Sequence, residues 1–131
     1  MRVRKHFSVT LACAMLYSPF VLAQPAMIDG GSKDFSADDL VCRVDIFNPD
    51  QIADFAAASS ATIYHSDRVL DADEYEELCD ALTANPALTR LRNAIKADPE
   101  VSQWLADNGI SPDSVILLVD NGNGKFDVYL Q

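Results

Sequence analysis

The stretch SVILLVDNGNGKFDVYLQ, residues 114–131, carries the clearest structural pattern in the chain. An apolar run at 114–119 leads into a turn at 120–124 that contains two Asn-Gly pairs. Asn-Gly pairs tolerate positive φ and are the strongest short-range signal for a hairpin. Residues 125–131 then alternate large apolar side chains with Asp127 and Tyr129, which is the period of a strand. The sequence therefore predicts an antiparallel β-hairpin at this end of the chain.

Helix signals fill the middle of the chain. Three Asn or Asp caps, each followed by proline at the first helical position, predict helix starts. These pairs are Asn48-Pro49, Asn85-Pro86 and Asp98-Pro99. A fourth start is the capping box that begins at Asp71 and closes at Glu74. The segment 36–47 fits both a helix capped by Ser36 and a strand, so the sequence leaves its structure open.

An isolated hairpin is marginally stable in water, so it needs helices on one face or a further strand. The predicted fold class is α+β, with several short helices packed on the hairpin and 61–64 as a candidate third strand. The folded domain would span 36–131. Residues 24–35 contain proline and glycines and show no period, so they are expected to form a flexible tail.

The first 23 residues have the pattern of a secretory signal peptide. Arg2, Arg4 and Lys5 precede an apolar stretch at 7–22, which is followed by a cleavage site after Ala23. The alternative is a transmembrane anchor, but the stretch is short and interrupted, whereas a spanning helix needs about 20 apolar residues. We expect a cleaved signal peptide over 1–23, no membrane anchor after cleavage, and a periplasmic or secreted protein.

Two cysteines, Cys42 and Cys79, would remain after cleavage. An even count in an exported chain predicts one disulfide, which would add about 3–4 kcal/mol of stability for a loop of roughly this length. The alternative is two separate free thiols. With His65 as the one remaining histidine and no CxxC motif, the sequence predicts neither a metal site nor a cofactor.

The charge balance is strongly acidic, with 10 Lys and Arg against 20 Asp and Glu, a net charge of −10. Loss of the signal peptide would leave 7 basic residues against the same 20 acids, a net charge of −13. Such a surface repels phosphate backbones and anionic lipids, so nucleic-acid and membrane-surface partners are disfavoured.

Six of the acids fall within the ten residues 71–80, where there is no lysine or arginine. On a helix, four of them would crowd the face opposite the apolar residues Tyr75, Leu78 and Leu82. These four are Asp73, Glu76, Glu77 and Asp80. A solvated helix face explains them simply, but like charges at these spacings cost a few tenths of a kcal/mol per pair. The four carboxylates are therefore the candidate site for a basic partner.

Other candidate sites have simpler structural explanations. The acidic turn at 120–124 lacks most EF-hand ligand positions and is better explained as a hairpin turn. His65, Ser66 and Asp67 are triad residue types, but adjacent residues cannot form a triad, so His65 is predicted in a loop. Trp104 is predicted to be a core residue.

No set of catalytic residues is apparent, so the expected function is non-enzymatic. We expect a small exported protein-binding module, in particular an inhibitor or immunity-type protein for a basic exported enzyme. One alternative is an accessory subunit of a cell-envelope complex, which would expose an apolar patch. The other, less favoured, is a hydrolase with a carboxylate pair.

Overall fold

The structure is a computed structural model that describes residues 24–31 and 35–131, so the predicted signal peptide lies outside the described part. Four strands form one sheet: β1 (Ala26–Asp29), β2 (Ser60–His65), β3 (Val115–Asp120) and β4 (Lys125–Leu130). The helices are α1 (Ala37–Asp45), α2 (Asp50–Ala56), α3 (Ser66–Val69), α4 (Ala72–Leu82), α5 (Pro86–Ala97) and α6 (Pro99–Asp107). A 3₁₀ turn, Pro112–Ser114, leads into β3.

The sheet has the strand order β1-β2-β4-β3. Strands β3 and β4 pair antiparallel, which confirms the predicted hairpin. The candidate third strand is also confirmed, because β2 pairs in parallel with β4 and places Ile63 beside Val128. The sheet is nevertheless larger than a hairpin with one added strand, since β1 pairs in parallel with the other edge of β2. The fold is thus α+β with a mixed four-stranded sheet.

Strand β1 lies within 24–35, where the sequence predicts a flexible tail. The Ala26 N–H donates to the Ser59 carbonyl at 2.9 Å, and the Gly30 N–H donates to the Ile63 carbonyl at 2.8 Å. All four residues of β1 are exposed, so the strand has no alternation of buried and exposed side chains. Without that alternation the sequence carries no strand period, which is why the pattern missed it.

Three helix starts follow the capping signals, whereas α2 begins at Asp50, one residue later than predicted, with Pro49 as its N-cap. Asn85 and Asp98 accept hydrogen bonds from main-chain N–H groups in the first turns of α5 and α6. Asp71 accepts from the Glu74 N–H at 2.8 Å, as the capping box predicts. The open choice at 36–47 resolves to helix α1, because the Ser36 hydroxyl accepts from the Asp39 N–H at 3.2 Å. Its buried face includes Leu40 and Val44, four residues apart.

The core lies between the sheet and the helices. Phe55 of α2 makes edge-to-face contacts with Trp104 of α6 and Phe126 of β4, with ring centroids 5.1 and 5.4 Å apart. Trp104 is only 2% exposed, which confirms it as a core residue. Its indole N–H donates to the Pro25 carbonyl at 2.7 Å and so attaches the start of β1 to α6.

A second aromatic cluster lies on the other face of the sheet, where Tyr64 and Tyr129 are paired across β2 and β4. Their rings stack at 5.2 Å, and Phe35 meets the Tyr129 ring edge-on at 5.1 Å. Gly30 lies directly against this cluster. A Cβ there would be 2.5 Å from Tyr64 Cε1 and 2.8 Å from the Ile63 carbonyl oxygen, so the close approach requires glycine.

Replacing Gly30 with alanine should therefore push β1 away from β2. We expect the variant to lose about 1–3 kcal/mol in free energy of unfolding, the usual cost of overpacking a tight contact. Urea denaturation of Gly30→Ala measures this, with Ala26→Ser, an exposed position of the same strand, as the control. Equal stability of Gly30→Ala and the parent protein would contradict the described position of β1.

Candidate functional site

The four predicted site carboxylates all lie on α4. Asp73, Glu76, Glu77 and Asp80 are exposed, while Leu78 and Leu82 of the same helix are buried against the core. Helix α4 packs on α1, so its opposite side is left to solvent. The structure thus brings the four carboxylates together on one surface, called here the α4 acidic surface.

No described basic side chain neutralises the α4 acidic surface. Within residues 24–31 and 35–131, the one side-chain ion pair joins Lys96 to Asp113, at 2.7 Å. That pair lies between α5 and the 3₁₀ turn, and its ammonium holds the pKa of the Asp113 carboxyl below its usual value. The charges on α4 therefore remain available for a partner.

One edge of α4 is fixed by a chain of polar contacts. Burial, together with a hydrogen bond to the Cys79 thiol, raises the pKa of Tyr75. The Gln131 side-chain amide donates to Cys79 Sγ at 3.5 Å and accepts from Arg92 Nη2 at 3.1 Å. Arg92 Nε also donates to the Val115 carbonyl at 3.1 Å, and burial lowers the pKa of this guanidinium. The contacts connect α4 to α5, to β3 at Val115 and to Gln131, the residue that follows β4.

The predicted Cys42–Cys79 disulfide is wrong, because both residues are free thiols. Helices α1 and α4 do pack together, as the bridge would require. Leu40 and Val44, however, take the buried side of α1. Cys42 comes two residues after Leu40, about 200° around a helix of 3.6 residues per turn, and its side chain is exposed. Helical geometry at 36–47 thus turns this thiol away from the core.

A cavity of about 440 Å³ lies between the first turns of α1 and α4. Its wall includes Asp39 and Glu74. The Asp39 N–H donates to the Ser36 hydroxyl, and the Glu74 N–H donates to the Asp71 carboxylate, so both residues belong to helix caps. Two carboxylates, those of Asp39 and Glu74, therefore belong to the lining of one cavity. Among the described residues, no group of three His, Cys, Asp or Glu side chains is placed to hold a metal ion.

The acidic turn at 120–124 is a hairpin turn, as predicted. The Asp120 carboxylate accepts from the Gly122 N–H at 2.8 Å, and Asn121 and Lys125 close the hairpin through a 2.9 Å main-chain bond. Positive φ values at Gly122, Asn123 and Gly124, of 82°, 56° and 73°, explain the two Asn-Gly pairs.

His65 is not a loop residue as predicted, since it ends β2. It lines a cavity of about 420 Å³ near the carboxyl ends of the parallel strands. The apolar part of the lining includes Met27, Ile63, Ile110 and Leu130.

The open edge of β1 is a further candidate surface, and sequence reasoning missed it. Met27 and Ile28 are each 47% exposed, unlike most large apolar side chains in the described structure. The available signal was the pair of adjacent apolar residues between Pro25 and Gly30, which is too short to show a period.

Comparisons with protein-family models, curated protein sequences and solved structures find no match to this chain. None of the described helices has both the length and the apolar composition that crossing a membrane requires.

The free thiols lead to a stability prediction. Cys42→Ser should change the free energy of unfolding by less than about 0.5 kcal/mol, since the side chain is exposed and unbridged. A reducing agent should likewise leave the urea midpoint of the parent protein unchanged. Cys79→Ser and the double variant provide the controls, and they should resemble each other. If each single variant instead lost about 3–4 kcal/mol under oxidising conditions, the thiols would be bridged after all.

Proposed function

We propose that this protein is a small exported protein-binding module that binds a basic partner protein through the α4 acidic surface. The observation that carries the proposal is the exposure of Asp73, Glu76, Glu77 and Asp80 together, with no described ion pair to any of them. The favoured form of the module is an inhibitor or immunity-type protein that neutralises a basic exported enzyme. Its compartment would be the periplasm or the extracellular medium.

The energetics of the helix support a partner of opposite charge. Like charges three and four residues apart destabilise a helix by a few tenths of a kcal/mol per pair. A basic protein would remove this repulsion on binding. The net charge of −10 would also speed association with such a partner, and this gain would fall as salt is added.

Two other functions each have one observation in their favour. An accessory subunit of an envelope complex is favoured by the exposed apolar pair Met27 and Ile28 on β1. A hydrolase with a carboxylate pair is favoured by Asp39 and Glu74, which share a cavity lining. Neither observation involves the four carboxylates of the α4 acidic surface, so variants of that surface separate the proposed function from both alternatives.

The test compares two variants that remove the same charge from different surfaces. The first carries Glu76→Gln, Glu77→Gln and Asp80→Asn on α4. The control carries Asp50→Asn and Asp54→Asn on α2 and Asp120→Asn at the end of β3, all exposed positions. Each protein is used as bait in a periplasmic extract at low and high salt, and mass spectrometry identifies the captured proteins.

We expect the parent and the control to capture the same basic protein at low salt and to lose it at high salt. The α4 variant should lose at least about tenfold in affinity for it, since several charge pairs at about 0.2–1 kcal/mol each would be removed. Equal capture by both variants, or capture that does not respond to salt, would contradict the proposal. Circular dichroism would verify that all three proteins are folded.

A further inference from the structure

The outer edge of β1 presents main-chain groups that are not used within the sheet. The N–H groups of Ala26 and Gly30 donate to carbonyls of the β2 segment. Main-chain groups alternate in direction along a strand, so those of Ile28 also point towards β2. The N–H and C=O groups of Met27 and Asp29 therefore point away from β2. The Trp104 indole occupies the Pro25 carbonyl at the beginning of this edge, so the free part starts at Met27.

Beside this edge, β1 places one large apolar side chain on each face of the sheet, followed by the exposed carboxylate of Asp29. Met27 and Ile28 are adjacent, so they point to opposite faces, and each is 47% exposed. A further strand placed along β1 would cover parts of both side chains while pairing with the main chain of Met27 and Asp29. Natural edge strands usually carry charge or proline to prevent such pairing, and the one charge in β1 is the Asp29 carboxylate, which repels acidic segments and attracts basic ones.

A cavity adjoins the edge on the Met27 side. It measures about 420 Å³, and Met27, Ile63, Ile110 and Leu130 contribute apolar surface to its lining. His65 and Ser111 contribute polar groups. In strand addition, main-chain hydrogen bonds provide affinity and a pocket for a side chain provides specificity. The edge and the cavity together supply both parts.

We propose that the edge of β1 binds an extended segment of a partner protein by strand addition, with one apolar side chain in the adjoining cavity and basic residues beside it. The free main-chain groups select an extended segment as the occupant. The negative charge of this protein favours a segment with basic residues, because the net charge of the chain is −10 and Asp29 is exposed on the edge itself. A second copy of this chain would bring the same negative charge and is disfavoured.

This site does not depend on the α4 acidic surface, since it lies on a different element and uses main-chain groups. It supplies a second contact if one partner covers both surfaces. If the α4 variants captured the partner as well as the parent does, the proposal for the β1 edge would be unaffected. If the peptide did not bind β1, the proposal for the α4 acidic surface would likewise be unaffected.

The test uses a defined probe, the peptide acetyl-Lys-Val-Lys-Leu-Lys-Val-amide, titrated into the ¹⁵N-labelled protein. The control peptide is acetyl-Lys-Pro-Lys-Pro-Lys-Pro-amide. It has the same charge, but proline at every second position removes the main-chain N–H there. The protein variant Met27→Pro removes one outward N–H, a position where an edge strand tolerates proline. Met27→Val keeps that N–H and an apolar side chain, so it controls for loss of the methionine.

We expect the first peptide to shift the resonances of β1 and of Ile63, His65 and Ile110, and to slow amide exchange at Met27 and Asp29. Binding should weaken at least about tenfold for the proline peptide and for Met27→Pro, since each lacks main-chain N–H groups that would otherwise form hydrogen bonds between the strands. Met27→Val should bind within about threefold of the parent.

Four results would overturn the proposal. Equal binding of both peptides would indicate attraction by charge alone. Shifts confined to α4 would assign binding to the α4 acidic surface. Absence of binding by the first peptide would reject a basic and apolar extended occupant. A dimer in sedimentation analysis, with Met27 and Asp29 already protected, would show that a second copy covers the edge.

Discussion

Strand β4 is hydrogen-bonded on both sides, in parallel to β2 and antiparallel to β3, and the fold depends on this double pairing. Residues 126–130 are all buried, so both faces of the strand contribute to the core. The turn to β3 is short because antiparallel neighbours can be joined directly. A parallel neighbour requires a crossover connection, usually helical, and α3 to α6 lie within the chain between β2 and β4. Helix α4, which carries the four carboxylates, is part of that connection.

Signals confined to a few residues predicted their structures well. The Asn-Gly pairs predicted the hairpin, and the caps at Asn85 and Asp98 predicted the starts of α5 and α6, because turn and cap energies depend on adjacent residues. Strand β1 was missed for the opposite reason. It is held by β2 and by Trp104, 79 residues away from Pro25, and its own side chains are exposed. Nothing local distinguishes it from a tail.

The candidate surfaces also differ in whether the sequence alone could predict them. The four carboxylates of α4 could be predicted because the apolar stripe of that helix is visible in the sequence, and it fixes the opposite side as exposed. The disulfide between Cys42 and Cys79 could not be judged by counting cysteines, since the direction of Cys42 depends on whether 36–47 is a helix. The edge of β1 depends on strand order, which a sequence pattern does not contain. The two surfaces therefore rest on different physical grounds, charge for α4 and unpaired main chain for β1.

Amide hydrogen exchange of the free protein, measured residue by residue by NMR, tests most directly whether β1 is an open edge strand. The amides of Ala26, Ile28 and Gly30 should be protected by their bonds to β2, whereas those of Met27 and Asp29 should exchange rapidly. Fast exchange at all five positions would show that the segment is a tail, as its sequence suggests. Protection at all five would show that the edge is already covered.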